Sequence, residues 1–133
     1  MANIFGIGID AVQIDRMDPE KLSAHVISRL FHPDEIIEAR SLNERMQAQY
    51  YASRFAAKEA FAKALGVGFT KVIPSEVCVK SEESGKPELC IEGATANYVN
   101  ARSMKIHLSL THEKNMALAM VILERLEECD GKK

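Results

Sequence analysis

Between Phe5 and Asp10 large apolar side chains alternate with nearly bare positions, Phe5, Ile7 and Ile9 on one side and Gly6, Gly8 and Asp10 on the other. A period of two predicts a strand with one greasy face and one bare face, ending in a carboxylate, and the bare face calls for a close neighbour. Asp18-Pro19 reads as a helix start, with Asp as cap and Pro in the first turn, and Leu22, Val26, Ile27 and Leu30 carry that helix to Phe31. His32-Pro33 breaks it. A short helix over 33–40 follows, then a long one over 43–65, where Gly66 supplies the stop. Residues 67–74 form a loop containing Gly68. Val77 and Val79 begin a strand, Ser84-Gly85-Lys86-Pro87 turns a hairpin, and residues 89–91 return. A helix over 94–102 precedes a last strand pair, 106–110 and 116–124, joined across 111–115. Strand, helices, hairpin, helix, hairpin is the order of an α+β fold with an antiparallel sheet packed against a long helix, in one domain over residues 1–133.

The long helix carries the most informative pattern. At about 100° per residue, Lys58, Ala62, Phe55, Gly66, Glu59 and Lys63 share one strip, while Ala56, Ala57, Ala60, Phe61, Ala64 and Leu65 cover the rest. Most of such a helix is buried. A Glu and a Lys one turn apart on a narrow strip then face a ligand or an interface, or else form an i,i+4 ion pair on a wet surface.

Bulk properties narrow the classes. The net charge of −2 argues against general nucleic-acid binding, which needs a basic field. No apolar run is long enough to cross a bilayer, and the N-terminus reaches Asp10 too early for a signal peptide. Cys78, Cys90 and Cys129 are odd in number and widely spaced, which suggests neither a disulfide framework nor a zinc knuckle. The expectation is a cytoplasmic protein with neither nucleic-acid nor membrane partners.

If the strand and the long helix pack together, Asp10 and Glu59 surround one point. Two carboxylates with room for water and phosphate oxygens suit Mg²⁺, and Lys63, one turn along, can neutralise a phosphate oxygen that the metal does not reach. Read locally, Asp10 is equally a cap for residues 11–16. His112 lies beside Ser109 and Thr111 at the tip of the last hairpin, either a substrate contact or a turn histidine. His25, His32 and His107 offer less. Phosphate-loop, nucleophile-elbow and zinc-protease spacings are absent from the sequence.

Three separated stretches resemble one family, the holo-acyl-carrier-protein synthases, the short type of 4'-phosphopantetheinyl transferase. They are Gly6-Ile7-Gly8-Ile9-Asp10 with Arg16, then Arg54-Phe55-Ala56-Ala57-Lys58-Glu59-Ala60 with Lys63-Ala64-Leu65-Gly66, and Leu108-Ser109-Leu110-Thr111-His112 with Ala117, Ala119 and Glu124. Gly85-Lys86-Pro87 falls at the family's hairpin. The resemblance implies a phosphopantetheinyl transferase-like fold and transfer of the phosphopantetheine arm of coenzyme A to a serine of acyl carrier protein in fatty acid biosynthesis, with release of 3',5'-ADP. It implies that Asp10 and Glu59 hold Mg²⁺ and, with Lys63, serve catalysis. It implies phosphate or nucleotide contacts from Lys63, Arg54, the Gly66 to Gly68 loop, Lys86 and His112. Glu59 or a metal-bound water would take the serine proton, ahead of Glu113 and His112. It further implies a homotrimer with clefts between chains, and carrier docking on a basic patch represented here by Arg16, Lys21 and Arg29, diluted by Glu20. Ala62 stands where relatives commonly have serine. Two other readings remain: a module that binds coenzyme A without transferring anything, and a purely structural assembly protein.

Overall fold

The computed structural model describes residues 2–100 and 103–126. Cys129 and the last two positions of the helix expected over 94–102 lie outside them. Strand β1 (Ala2–Gln13) leads through a 3₁₀ turn (Ile14–Met17) and a loop to helices α1 (Ala24–Leu30), α2 (Pro33–Arg40) and α3 (Glu44–Leu65). Then come hairpin β2 (Val77–Ser81) and β3 (Pro87–Ile91), helix α4 (Gly93–Asn100) and hairpin β4 (Met104–His112) and β5 (Met116–Leu126). One antiparallel sheet has the order β1-β5-β4, and β2 and β3 form a second.

Local signals account for the boundaries of α3. Asn43 Oδ1 accepts the Met46 amide at 2.9 Å, and Gly66 closes the helix in the left-handed region at φ 79°, where a side chain would be strained. The start of α1 differs from the expectation at Asp18. Asp18 closes a turn, its carboxylate taking the Glu20 amide at 2.9 Å and its carbonyl the Lys21 amide at 2.8 Å. The cap is Ser23, whose Oγ accepts the Val26 amide at 3.1 Å.

α3 lies against the bare face of β1. A Cβ placed on Gly6 or Gly8 would stand 1.9 Å from the carbonyl oxygen of Ala64 or Ala60 respectively, so strand and helix meet backbone to backbone. The alanines Ala56, Ala57, Ala60 and Ala64 are buried there against Val12, Ala117, Ala119, Val121 and Leu123. The greasy face of β1 points outward: Ile4, Ile7 and Ile9 are 67%, 62% and 61% exposed. A β-bulge between Ile4 and Gly6 takes Phe5 out of the strict alternation, and its ring stacks under the Arg125 guanidinium at 4.6 Å.

The polar strip expected on α3 is narrower than drawn. Lys58 and Ala62 are buried. Lys58 Nζ donates to Glu35 Oε1 at 2.8 Å, to the Pro74 carbonyl at 2.9 Å and to the Val77 carbonyl. Glu35 also accepts the His32 amide at 3.0 Å and the Val79 amide at 2.9 Å, so one ion pair ties α2, α3 and β2 together.

Candidate active site

Asp10 shares the inward face of β1 with Gly6 and Gly8, and its side chain, 13% exposed, meets α3 where that helix still offers polar groups. It lies opposite Ala119 within the ladder, three residues before the strand ends, rather than at its terminus as expected. No helix begins there for it to cap. Lys63 Nζ donates to Asp10 Oδ1 at 2.9 Å and to the Ile9 carbonyl at 3.2 Å, and this bond holds its pKa above the ordinary lysine value.

Glu59 stands one turn before Lys63, half-buried. Burial, and next the charge of Asp10, push its pKa above the ordinary 4.5, while Lys63 and Arg16 pull it back. The two carboxylates therefore feel each other directly, and two cations face the same spot. Arg16 is exposed on the 3₁₀ turn after β1. Past Lys63 the chain turns through Gly66 and Gly68 at φ 79° and 61°, with no heavy atom within 4 Å of where a Cβ would stand on either. Their backbone borders open space beside the cluster.

Arg54 and His112 come together elsewhere. Arg54 lies over the Tyr50 ring at 3.9 Å and approaches Glu38 at 4.0 Å, and its buried Nε has no hydrogen-bond partner among the described residues. Tyr50 donates to Glu38 at 2.5 Å, and burial followed by this bond pushes the phenol pKa up. His112 ends β4 with its Nε2 3.3 Å from Gln49 Nε2. Arg54, His112, Gln49 and Tyr50 line a cavity of about 420 Å³ between α2, α3 and β4. Gln49, Tyr50 and Glu38 escaped the sequence reading; Tyr50 precedes Arg54 by one helical turn, a spacing that could have pointed to their contact.

Lys86 is exposed at the tip of the β2–β3 hairpin. Lys21 is turned to the Asp15 carbonyl at 3.0 Å, while Arg29 lines a recess of about 530 Å³ with Val26, Phe69 and Ile73. The three basic residues of the expected docking patch thus have different surroundings: Arg16 is exposed and near enough to lower the Glu59 pKa, Lys21 is turned to its own loop and Arg29 lines the recess.

An acid pair flanked by cations can hold a divalent ion and phosphate oxygens. Burial pushes the Cys78 thiol up to about 11 and the Cys90 thiol also upward, so neither is a thiolate at neutral pH.

The family model described as the 4'-phosphopantetheinyl transferase superfamily matches residues 6–120. The chain is 40% identical over 122 residues to a holo-[acyl-carrier-protein] synthase of Treponema pallidum (strain Nichols), covering 91% of this chain and 96% of that protein. It is 39% identical over 134 residues to a holo-[acyl-carrier-protein] synthase of Zymomonas mobilis, covering 94% and 99%. Among solved structures it is similar to a holo-(acyl-carrier-protein) synthase from Bacillus anthracis in complex with CoA (3',5'-ADP), with TM-score 0.78 and 34% identity over 92% of this chain and 98% of that one. The Neisseria meningitidis holo-[acyl-carrier-protein] synthase superposes with TM-score 0.82 and 31% identity over 91% and 98%.

Proposed function

This chain belongs to the 4'-phosphopantetheinyl transferase superfamily, and on that premise we propose that it is a holo-[acyl-carrier-protein] synthase. It transfers the 4'-phosphopantetheine group of coenzyme A to a serine hydroxyl of acyl carrier protein and releases 3',5'-ADP. The observation that carries this reading is the Asp10, Glu59 and Lys63 cluster, in a chain that matches such synthases over nine-tenths of its length.

Asp10 and Glu59 are the residues that would hold Mg²⁺. They fit it, because two elements each offer a carboxylate, and the charge of Asp10 adds to burial in raising the Glu59 pKa, a repulsion that a divalent cation would relieve. Bound there, Mg²⁺ supplies charge neutralisation at the coenzyme A pyrophosphate. Lys63 occupies the cation position beside Asp10 and turns to a phosphate oxygen when substrate is present, a short movement for a side chain 55% exposed. Glu59 is the side chain that would take the serine proton as the hydroxyl attacks phosphorus. The open backbone around Gly66 and Gly68 admits phosphate close to α3, and Lys86 reaches the nucleotide from the hairpin tip.

Arg54, whose Nε has no partner among the described residues, and His112 line a second cavity suited to the 3',5'-ADP end of the substrate. Its separation from the Asp10 cluster supports a homotrimer in which one copy's Arg54 and His112 complete the next copy's site. The outward Ile4, Ile7 and Ile9, continued on β5 by Met120 at 38% exposure, give such an assembly its apolar contact. The carrier's acidic helix docks along α1, with Arg16 and Arg29 meeting its charges and the Val26, Phe69 and Ile73 recess its apolar side. Lys21 joins them by leaving the Asp15 carbonyl. Free thiols at Cys78 and Cys90 suit a reducing cytoplasm.

Incubation with coenzyme A, Mg²⁺ and apo carrier protein, read by the carrier's intact mass, tests the proposal. The carrier gains one phosphopantetheine arm, and Asp10→Asn or Glu59→Gln abolishes the gain while circular dichroism stays native. An unmodified mass on several apo carriers would reject the activity. Bound coenzyme A without 3',5'-ADP release would instead identify a binding module.

A further inference from the structure

Away from the acid pair, the N-terminus of α2 and the middle of β2 bring together three groups of different ligand chemistry. A ring nitrogen of His32, a carboxylate oxygen of Asp34 and Sγ of Cys78 all lie within 4.8 Å of one another. His32 and Cys78 are 8% and 2% exposed, whereas the Asp34 side chain is 58% exposed. The Asp34 amide can only donate, and it points at His32 Nδ1 at 3.0 Å, so Nδ1 carries the lone pair and Nε2 the proton. Nε2 faces Glu92 Oε2 at 3.0 Å. A carboxylate behind the imidazole fixes the tautomer and raises the basicity of the other nitrogen, the arrangement usual for a metal-bound histidine.

We propose that His32, Asp34 and Cys78 form a binding site for a borderline-soft divalent cation of the Zn²⁺ class, with Glu92 orienting His32. The donor set decides the class. Thiolate with imidazole selects zinc-like ions over Mg²⁺ and Ca²⁺, which prefer oxygen. The geometry is close to what such an ion needs: His32 Nδ1 and Asp34 Oδ2 stand 3.8 Å apart, near the roughly 3.5 Å edge of a tetrahedron with metal-ligand bonds of about 2.0–2.3 Å. All three donor atoms lie within 4.8 Å of one another, and Asp34, the exposed member, is the freest to move toward an ion. A fourth position opens into a cavity of about 430 Å³ lined by Asp34, Cys78 and Lys80, through which the ion enters and water can complete its coordination.

Binding has to overcome three competitors. The ion displaces the proton of the Cys78 thiol, the Asp34 amide from Nδ1, and Lys80 Nζ from Asp34 Oδ2, now 3.6 Å away. The last gives the proposal an unusual signature, since removing a positive charge beside the carboxylate strengthens the site. The bound ion cross-links α2 to β2 beside the Glu35 and Lys58 pair that already joins them.

Titration of the full chain with Co²⁺, followed by the near-ultraviolet thiolate-to-cobalt charge-transfer band, reads a thiolate ligand, and the cysteine variants assign it. The oxygen donors of Asp10 and Glu59 give no such band. The band is expected in the parent and in Asp10→Asn, Cys90→Ser and Cys129→Ser. Cys78→Ser abolishes it, His32→Asn, which keeps a capping side chain, and Asp34→Asn each weaken binding at least tenfold, Glu92→Gln weakens it about tenfold, and Lys80→Gln tightens it. A parent without the band at millimolar Co²⁺, or a band that survives Cys78→Ser or keeps its affinity in His32→Asn, overturns the proposal. Should either buried variant lose its native circular dichroism, Asp34→Asn and Glu92→Gln decide, because both positions are exposed; unchanged affinity in both overturns it as well.

Discussion

Replacing Lys58 with methionine removes the buried cation of α3 while nearly keeping its volume. The ammonium has three donors and three acceptors, Glu35 Oε1 and the carbonyls of Pro74 and Val77. After substitution, Glu35, whose side chain is 1% exposed, keeps the amides of His32 and Val79 but loses its counter-charge, and two carbonyls lose a partner. Breaking a buried pair from one side costs about 3–5 kcal/mol. Methionine leaves little cavity, so packing adds less than about 1.5 kcal/mol. A loss near 4 kcal/mol is a large part of the roughly 5–15 kcal/mol that stabilises a domain. It should lower Tm by about 10–20 °C. Urea unfolding at one fixed protein concentration, needed because assembly would shift the midpoint, measures it. Removing both charges in Lys58→Met with Glu35→Gln should recover part of the loss, because the orphaned carboxylate is gone while a side-chain oxygen remains for the His32 or the Val79 amide. A single substitution costing under about 1 kcal/mol, or a double variant less stable than the single one, would refute this account of the pair.

Gly8→Ala should cost more than Gly66→Ala, by about 1–3 kcal/mol against about 1 kcal/mol in thermal unfolding, because a Cβ at Gly8 strikes the Ala60 backbone at 1.9 Å whereas Gly66 faces open space and suffers only its φ of 79°. Glu59 binds its proton more tightly folded than unfolded, so between its ordinary pKa of 4.5 and its raised native value stability must fall as pH rises, then level off. Glu59→Gln flattens that slope, and an unchanged slope in urea titrations across this window would show that another group is responsible. Ile7→Glu, at a position 62% exposed in the single chain, should leave monomer unfolding within about 0.5 kcal/mol. Sedimentation should nevertheless show loss of the proposed trimer, and carrier modification should fall more than tenfold; full activity in a monomer would refute a site shared between chains.

Elements governed by neighbours in sequence were readable from sequence. α3 begins and ends at its own capping residues, Asn43 and Gly66. The bare face of β1 announced a close partner, and Gly6 and Gly8 meet one in Ala64 and Ala60. Asp10, Glu59 and Lys63 follow from those two facts, since the strand can turn only one face to the helix. Where two local signals competed, the reading failed. Asp18 and Ser23 are both capping residues, and the chain spends Asp18 on the turn that precedes α1. Lys58 exposes a different limit. A helical wheel gives an angle but not the width of the buried arc, and the carboxylate that makes burial of Lys58 tolerable sits 23 residues earlier on another helix. The pairing of Arg54 with His112 has the same origin, because their shared cavity is assembled from α2, α3 and β4.

Asp10 and Ile9 are consecutive on β1, and pleating sends one inward and the other outward. Shifting the β1–β5 register by one residue would bury the isoleucines against α3, where only glycine fits, and turn Asp10 to the outer face. The close approach of Gly6 and Gly8 to the α3 backbone therefore fixes two outcomes together, the placement of Asp10 beside Glu59 and Lys63 and the display of Ile7 and Ile9 on the opposite side. Within the proposed trimer, the same two glycines that seat the helix would position the acid pair and expose the surface that brings a neighbour's Arg54 and His112 to it. Site and assembly would then rest on one register rather than on two independent features.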